Sequence, residues 1–136
     1  MKIYFVRHGE TDWNKERKIQ GQVDIPLNEF GRHLARETAK GLRDVPFDVC
    51  FTSPLERARE TAQIILQGRD VPILEDKRIL EMNFGVLEGK CCSKEGWDVP
   101  DSFQMLYGSG NSAGDIQVPG KFLSGHSHIP VQRYIF

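Results

Sequence analysis

Short runs of β-branched and aromatic residues alternate with helical patterns along the first half of the chain. Residues 3–6, 48–52 and 71–74 have the length and composition of strands, and Pro72 in the third favours an edge position or a strand start. Between these runs, apolar side chains recur three or four residues apart, as in helices with one buried face. Strands that alternate with helices form a mainly parallel sheet flanked by helices, so we predict a layered α/β domain.

Polar residues mark where the two predicted helices begin. Asn28 is a good N-cap for the first helix, which we expect to end near Arg43. Ser53 followed by Pro54 and Glu56 predicts a capping box at the start of the second. The predicted buried faces comprise Leu34, Ala35, Thr38, Ala39 and Leu42 in the first helix, and Ala58, Thr61, Ala62, Ile65 and Leu66 in the second.

The first predicted strand, which reads as a buried one, runs directly into Arg7, His8 and Gly9. Ligands bind at the carboxyl ends of strands in open α/β sheets, so these side chains reach a place suited to chemistry. Arg7 is a permanent planar cation that fits a phosphate or carboxylate, and His8 can act as a nucleophile or proton carrier. Gly9 allows a tight turn or a close approach to a ligand. Taken alone, the tripeptide also fits a solvated loop.

Arg57 lies near the start of the second predicted helix. A helix N-terminus is the positive end of the helix dipole and offers backbone N–H groups to anions. A cation is unfavourable there unless an anion accompanies it, so this position predicts contact with an anion. The alternative is an ion pair with Glu60, three residues further along the helix.

Length, charge and cysteine content limit the number of domains, the partners and the cellular location that we expect. The chain has 136 residues, enough for about one domain, and 18 basic and 19 acidic side chains leave a net charge of −1. That balance favours neither nucleic acid nor a membrane surface as a partner, and no apolar run is long enough to span a membrane. No signal peptide is recognisable. The three cysteines, Cys50, Cys91 and Cys92, fit neither a disulfide framework nor a zinc site. We therefore expect reduced thiols and a cytoplasmic location. No cluster of carboxylates and histidines has metal-ligand spacing, and we predict no metal.

Four segments, in order, resemble the motifs of the histidine phosphatase superfamily, which includes the cofactor-dependent phosphoglycerate mutases. They are Arg7 to Thr11 with Asn14, then Gln20-Gly21 with the stretch from Asp24 to Gly31, then Thr52 to Ala62, and finally Arg78 to Gly89. The resemblance covers residues 1–103, which we therefore assign to a histidine phosphatase-like α/β domain.

The resemblance implies phosphoryl transfer through a phosphohistidine at His8, without a cofactor. Arg7 and Arg57 would hold the equatorial oxygens, and Glu81 would be the proton donor. Apolar neighbours of Glu81 could desolvate its carboxyl group and so raise its pKa, which a general acid requires. Alongside Arg7, Arg57 and Glu81, the expected substrate-binding residues are Gly9, Glu10, Thr11, Asn14, Gln20 and Gly21.

Residues 104–136 depart from the family, whose members carry a second pocket histidine late in the chain, followed by glycine. Residues 107–114 (YGSGNSAG) read as loop or disorder. His126 is a candidate for the second histidine, although no glycine follows it; the alternative is an exposed histidine of the tail. We therefore treat 104–136 as an atypical segment and the α/β domain as C-terminally incomplete. A missing strand would expose a sheet edge or an apolar face, which favours aggregation or a homodimer.

Three functions remain open from the sequence. We predict a phosphomonoester hydrolase that acts through a phosphohistidine on a small phosphorylated metabolite. A phosphoglycerate mutase-type phosphoryl transfer would use the same residues. A non-catalytic phospholigand-binding module, or a truncated inactive form, would keep Arg7, Asn14 and Arg57 but lose turnover. The matched residues are expected to bind the phosphoryl group, so they do not identify the rest of the substrate.

Overall fold

The computed structural model describes residues 1–93, 96–97 and 133–135. Its strands are β1 (Lys2–Tyr4), β2 (Val49–Thr52), β3 (Ile73–Glu75), β4 (Cys92–Ser93), β5 (Gly96–Trp97) and β6 (Arg133–Ile135). Its α-helices are α1 (Asp12–Lys15), α2 (Glu29–Gly41) and α3 (Glu56–Ile65), and two 3₁₀ turns cover Lys77–Ile79 and Gly85–Leu87.

Four parallel strands form the main sheet in the order β1-β6-β2-β3, while β4 and β5 form a small antiparallel pair. This arrangement confirms the predicted parallel sheet and places β3 at an edge. In the central strand β6, Tyr134 pairs with Ile3 of β1 and with Val49 of β2. The carboxyl ends of β1 and β2 therefore point the same way, and the loops that follow them meet at one edge of the sheet.

The core lies between the sheet and α3. Phe47, Cys50, Ala62, Ile65 and Leu66 form its buried centre. The helix α3 packs on β2 and β3, and α2 packs on α3. Burial of this apolar surface is the main force that holds the two helices to the sheet.

The first strand is less buried than predicted. Tyr4 and Val6 pack against the core, but Ile3 is 41% exposed and Phe5 80% exposed. Side chains alternate between the two faces of a strand, and the core covers only the face that bears Tyr4 and Val6. Leu34 of α2 is likewise 40% exposed instead of buried.

The helix starts confirm one predicted cap and correct the other. Asn28 caps α2, because its side-chain oxygen accepts a hydrogen bond from the Gly31 N–H at 2.8 Å. The capping box predicted at Ser53 is wrong: α3 begins at Glu56 without a side-chain cap of its own. The Glu56 N–H instead donates to Oδ1 of Asp24 at 2.7 Å, so a residue from a neighbouring loop satisfies the helix end.

Most of the atypical segment 104–136, including the predicted loop 107–114 and His126, lies outside the described residues. Within this segment, Arg133–Ile135 contribute the strand β6, which pairs with β1 and β2. Among the described helices, none has the length and apolar character needed to cross a membrane.

Candidate active site

His8 lies just beyond β1, and its ring has a defined orientation. Its Nδ1 lies 2.7 Å from the carbonyl oxygen of Gly9. A carbonyl can only accept, so Nδ1 carries the proton and Nε2 presents a lone pair. Burial lowers the pKa of His8 below its usual 6.5, and the nearby charges of Arg57 and Arg7 lower it further, against opposing effects of the Gly9 carbonyl and Glu81. A lowered pKa favours the neutral imidazole at pH 7, whose Nε2 lone pair is free of the proton.

Arg57, the second residue of α3, is only 2% exposed. Its Nη1 donates to the carbonyl of Val23 at 2.8 Å and its Nη2 to the carbonyl of Gly21 at 2.6 Å. The alternative ion pair with Glu60 does not form, because Glu60 lies 2.6 Å from Nε of Arg32 on α2. The buried guanidinium is thus hydrogen-bonded to backbone carbonyls, and burial lowers its pKa while the charges of Glu81, Asp24 and Glu88 act in the opposite direction. In the described part of the chain, none of these carboxylates forms a direct ion pair with it.

Two hydrogen bonds of Thr61 join the His8 loop to α3. The Gly9 N–H donates to the Thr61 hydroxyl at 3.0 Å, and that hydroxyl donates to the carbonyl of Arg57 at 2.7 Å. The residue after His8 is therefore fixed against the helical turn that carries Arg57. The sequence placed Thr61 on the buried face of the helix but did not reveal this link, whose only signal is a hydroxyl among apolar positions four residues after Arg57.

The expected binding residues after Gly9 form a braced loop. Thr11 is fully buried, and it builds a capping box with Asn14 around the short helix α1, which was not predicted. The Thr11 hydroxyl also lies 2.7 Å from Oε1 of Gln20, and Glu10 accepts from Nδ2 of Asn28 at 2.9 Å. These contacts hold the loop in shape next to His8, with Arg7 exposed at its edge.

Glu81 lies close enough to the charges of His8 and Arg57 to influence both. Its carbonyl accepts from Nε2 of Gln22 at 2.9 Å, and its Oε1 accepts from the Met82 N–H at 2.8 Å. The prediction that apolar neighbours desolvate Glu81 is wrong, because Glu81 is exposed and Met82 is 57% exposed. This irregular segment lies at the surface between two 3₁₀ turns, so its apolar side chains do not close over the carboxylate.

A cavity of about 180 Å³ is lined by Arg7 and His8 after β1, by Thr52 and Ser53 at the end of β2, and by side chains of α3 that include Thr61 and the apolar Ala58, Ala62 and Ile65. Cys50 also lines it, but burial raises the pKa of this thiol to about 11, so the sulfur is protonated and a poor nucleophile at pH 7. Among the described residues, no group of three or more His, Cys, Asp or Glu side chains is placed to hold a metal ion.

Comparison with known proteins agrees with this geometry. A sequence profile of the histidine phosphatase superfamily (branch 1) matches residues 3–115. The uncharacterized phosphatase PhoE of Bacillus subtilis is 43% identical over 100 residues, which are 74% of this chain and 52% of that protein. The probable phosphoglycerate mutase GpmB of Cronobacter sakazakii is 40% identical over 102 residues, covering 71% of this chain and 47% of that protein.

Among solved structures, YhfR of Bacillus stearothermophilus superposes with a TM-score of 0.70 at 41% identity, covering 77% of this chain and 52% of that one. The chain thus spans about half the length of the relatives that it matches. PhoE is named as an uncharacterized phosphatase and GpmB as a probable phosphoglycerate mutase, and the profile covers most of the sequence. This chain belongs to the histidine phosphatase superfamily.

Proposed function

We propose that this chain hydrolyses phosphomonoesters of small metabolites through a phosphohistidine at His8. The observation that carries the proposal is the pairing of a neutral, oriented imidazole with the buried guanidinium of Arg57, which has no ion-pair partner among the described residues. The carbonyls of Val23 and Gly21 accept hydrogen bonds from the guanidinium but do not neutralise its charge, and a buried charge that no direct ion pair compensates is costly. A phosphoryl dianion would supply the compensating charge, and it would arrive beside the lone pair of His8.

The proposed reaction has two steps. Nε2 of His8 attacks phosphorus in line, and the bond from phosphorus to the ester oxygen breaks while Glu81 protonates the departing alcohol. Glu81 then removes a proton from water, which attacks the phosphohistidine and releases phosphate and His8. Arg7 and Arg57 neutralise the equatorial oxygens in both steps, so guanidinium groups do the work that metal ions do in other phosphoryl transfer enzymes.

The exposure of Glu81, the proposed proton donor, favours hydrolysis over a mutase reaction, in which the phosphoryl group moves between two positions of a substrate that stays bound. Glu81 and its neighbours Met82 and Val86 are exposed. Water can therefore reach the carboxylate that would activate it. A mutase would need this approach closed while the phosphorylated product stays bound.

The first test is the hydrolysis of p-nitrophenyl phosphate in excess chelator by the parent and by His8→Ala. We expect turnover in the parent and a loss of about a thousand-fold or more in His8→Ala, because the nucleophile is gone. His33→Ala is the matched control, since His33 is an exposed histidine of α2. Turnover of His8→Ala near the parent's level would contradict the proposal.

Two further measurements separate the alternatives. Acid-labile labelling of His8 by a radioactive phosphate ester, followed by release of inorganic phosphate, supports a hydrolase, whereas transfer to an added phosphoglycerate supports a mutase. If neither the parent nor His8→Ala turns over, calorimetry with inorganic phosphate decides: binding without turnover identifies a phospholigand-binding module.

The role of Glu81 has its own signature. Glu81→Gln should slow an alkyl phosphate far more than p-nitrophenyl phosphate, because only the alkoxide needs a proton to leave. Equal slowing of the two esters would argue against Glu81 as the acid.

A further inference from the structure

Glu88 joins two segments of the site that are far apart in sequence. Its Oε1 accepts from the Gln22 N–H at 2.8 Å and from the Phe84 N–H at 3.2 Å. A Cβ on Gly21 would lie 2.1 Å from the same oxygen, so Gly21 leaves the space that the carboxylate occupies. Glu88 is half-buried, and one oxygen holds both backbones at once.

The first of these segments, residues 20–24, is also held by Arg57, which donates to the carbonyls of Gly21 and Val23. The second segment carries Glu81, and Nε2 of Gln22 donates to the Glu81 carbonyl at 2.9 Å. The segment 20–24 therefore touches the buried arginine on one side and the acid segment on the other. Two side chains join the acid segment to residues 20–24: Gln22, which bonds to the Glu81 carbonyl and to Nδ2 of Asn83, and Glu88, which bonds to the backbone N–H groups of Gln22 and Phe84.

We propose that Glu88 is a positioning residue that holds Glu81 in place for proton transfer by tying residue 84 to residue 22. The inference rests on the proposed function. Glu81 is exposed and lies outside any α-helix or strand. The Met82 N–H holds its carboxylate locally, but the place of this segment relative to His8 depends on the contacts with residues 20–24. Proton transfer requires the two heavy atoms to come within about 2.6–3.2 Å of each other, a narrow range that a loosely held segment would not keep.

The proposed role of Glu88 requires its side-chain oxygen as a hydrogen-bond acceptor and does not require its negative charge, and this difference makes the proposal testable. Glu88→Gln keeps an oxygen that can accept from both N–H groups, whereas Glu88→Ala leaves them without it. We expect Glu88→Ala to slow an alkyl phosphate about tenfold more than p-nitrophenyl phosphate, and Glu88→Gln to stay within about threefold of the parent on both esters. Glu75→Ala, which removes an exposed carboxylate at the end of β3, is the control.

Because Glu88 would act through Glu81, the two substitutions should not add. In a Glu81→Gln background, Glu88→Ala should change turnover of the alkyl ester by less than about threefold. Equal slowing of both esters by Glu88→Ala, a full additional loss in the Glu81→Gln background, or failure of Glu88→Gln to restore turnover would each overturn the proposal.

Hydrogen exchange tests the tether without reference to activity. The amides of Gln22 and Phe84 should be protected in the parent and exchange faster in Glu88→Ala, with recovery in Glu88→Gln. Unchanged exchange in Glu88→Ala would overturn the inference even if hydrolysis is confirmed. Turnover that survives His8→Ala would overturn the proposed function, and the catalytic role of the tether with it, whatever the exchange result.

Discussion

The surroundings of His8 favour its neutral state beyond what the residue type alone provides, because they lower its pKa from the ordinary 6.5. Burial removes water that would stabilise the imidazolium, and the guanidinium groups of Arg57 and Arg7 repel a third positive charge. The hydrogen bond from Nδ1 to the Gly9 carbonyl raises the pKa of His8, but it also leaves Nε2 as the nitrogen that carries the lone pair. The contact that makes His8 slightly more basic is thus also the one that orients it.

We predict that His8 titrates below pH 6.5. The Cε1 proton signal that disappears in His8→Ala should shift with a midpoint under that value, and the acidic limb of kcat/KM should follow it. The unfolded chain binds this proton first as the pH falls, so stability should decline from about pH 6.5 downward and level off below the folded-state pKa. In His8→Ala that part of the decline should be missing. A midpoint at or above 6.5 would contradict the prediction.

The hydroxyl of Thr61 should matter more than its size. Thr61→Val keeps the shape but leaves the Gly9 N–H without its acceptor, so we expect a loss of about 1–3 kcal/mol of unfolding free energy together with reduced turnover. Thr61→Ser should retain most of both. Urea unfolding and the aryl phosphate assay measure the two effects.

Thr38 supplies the matched control for Thr61. Its hydroxyl donates to the Leu34 carbonyl at 2.9 Å, the same four-residue geometry, but it holds no loop of the site. Thr38→Val should therefore cost little stability and no turnover. If Thr61→Val proves no worse than Thr38→Val, the link between α3 and the His8 loop has no energetic importance.

At the scale of elements, α2 meets the His8 loop backbone to backbone. A Cβ on Gly31 would lie 2.1 Å from the Glu10 carbonyl oxygen, and a Cβ on Gly9 would lie 2.5 Å from the Gly31 carbonyl oxygen. Neither contact could be relieved by a flexible side chain, because the atoms belong to the main chain. The first turn of α2 therefore packs directly against the backbone of the His8 loop and restricts its conformation.

We predict that Gly31→Ala destabilises the protein by about 1–3 kcal/mol and lowers turnover, because the added methyl group must push the loop away from the helix. Gly41→Ala is the control in the same helix, since a Cβ there would meet nothing within 4 Å. Alanine is the better helix former, so Gly41→Ala should leave stability equal or raise it by up to about 1 kcal/mol. Similar effects of the two substitutions on urea unfolding would contradict the close packing at Gly31.

For the molecule as a whole, the sequence predicted what depends on neighbouring residues. The alternating pattern indicated the parallel sheet, and Asn28 marked the start of α2. The sequence did not predict contacts between distant segments. Asp24 accepts the hydrogen bond at the start of α3, and Glu60 pairs with Arg32 instead of Arg57. Local patterns specify periodicity and caps, whereas the choice among several nearby acceptors depends on how the elements pack.

The placement of β6 leads to the last prediction. Arg133–Ile135 lie between β1 and β2 and pair with both, so this strand joins the two elements whose carboxyl ends lead to His8 and to α3. A central strand needs its backbone N–H groups for the ladder, and proline lacks one. Tyr134→Pro should therefore lower the unfolding free energy by about 2 kcal/mol or more and reduce aryl phosphate turnover, because β1 and β2 would lose their common neighbour. Tyr134→Val keeps the N–H and is the comparison for the loss of the side chain. If the proline and valine variants unfold at the same urea concentration, β6 does not hold β1 and β2, and the site residues that follow them, together.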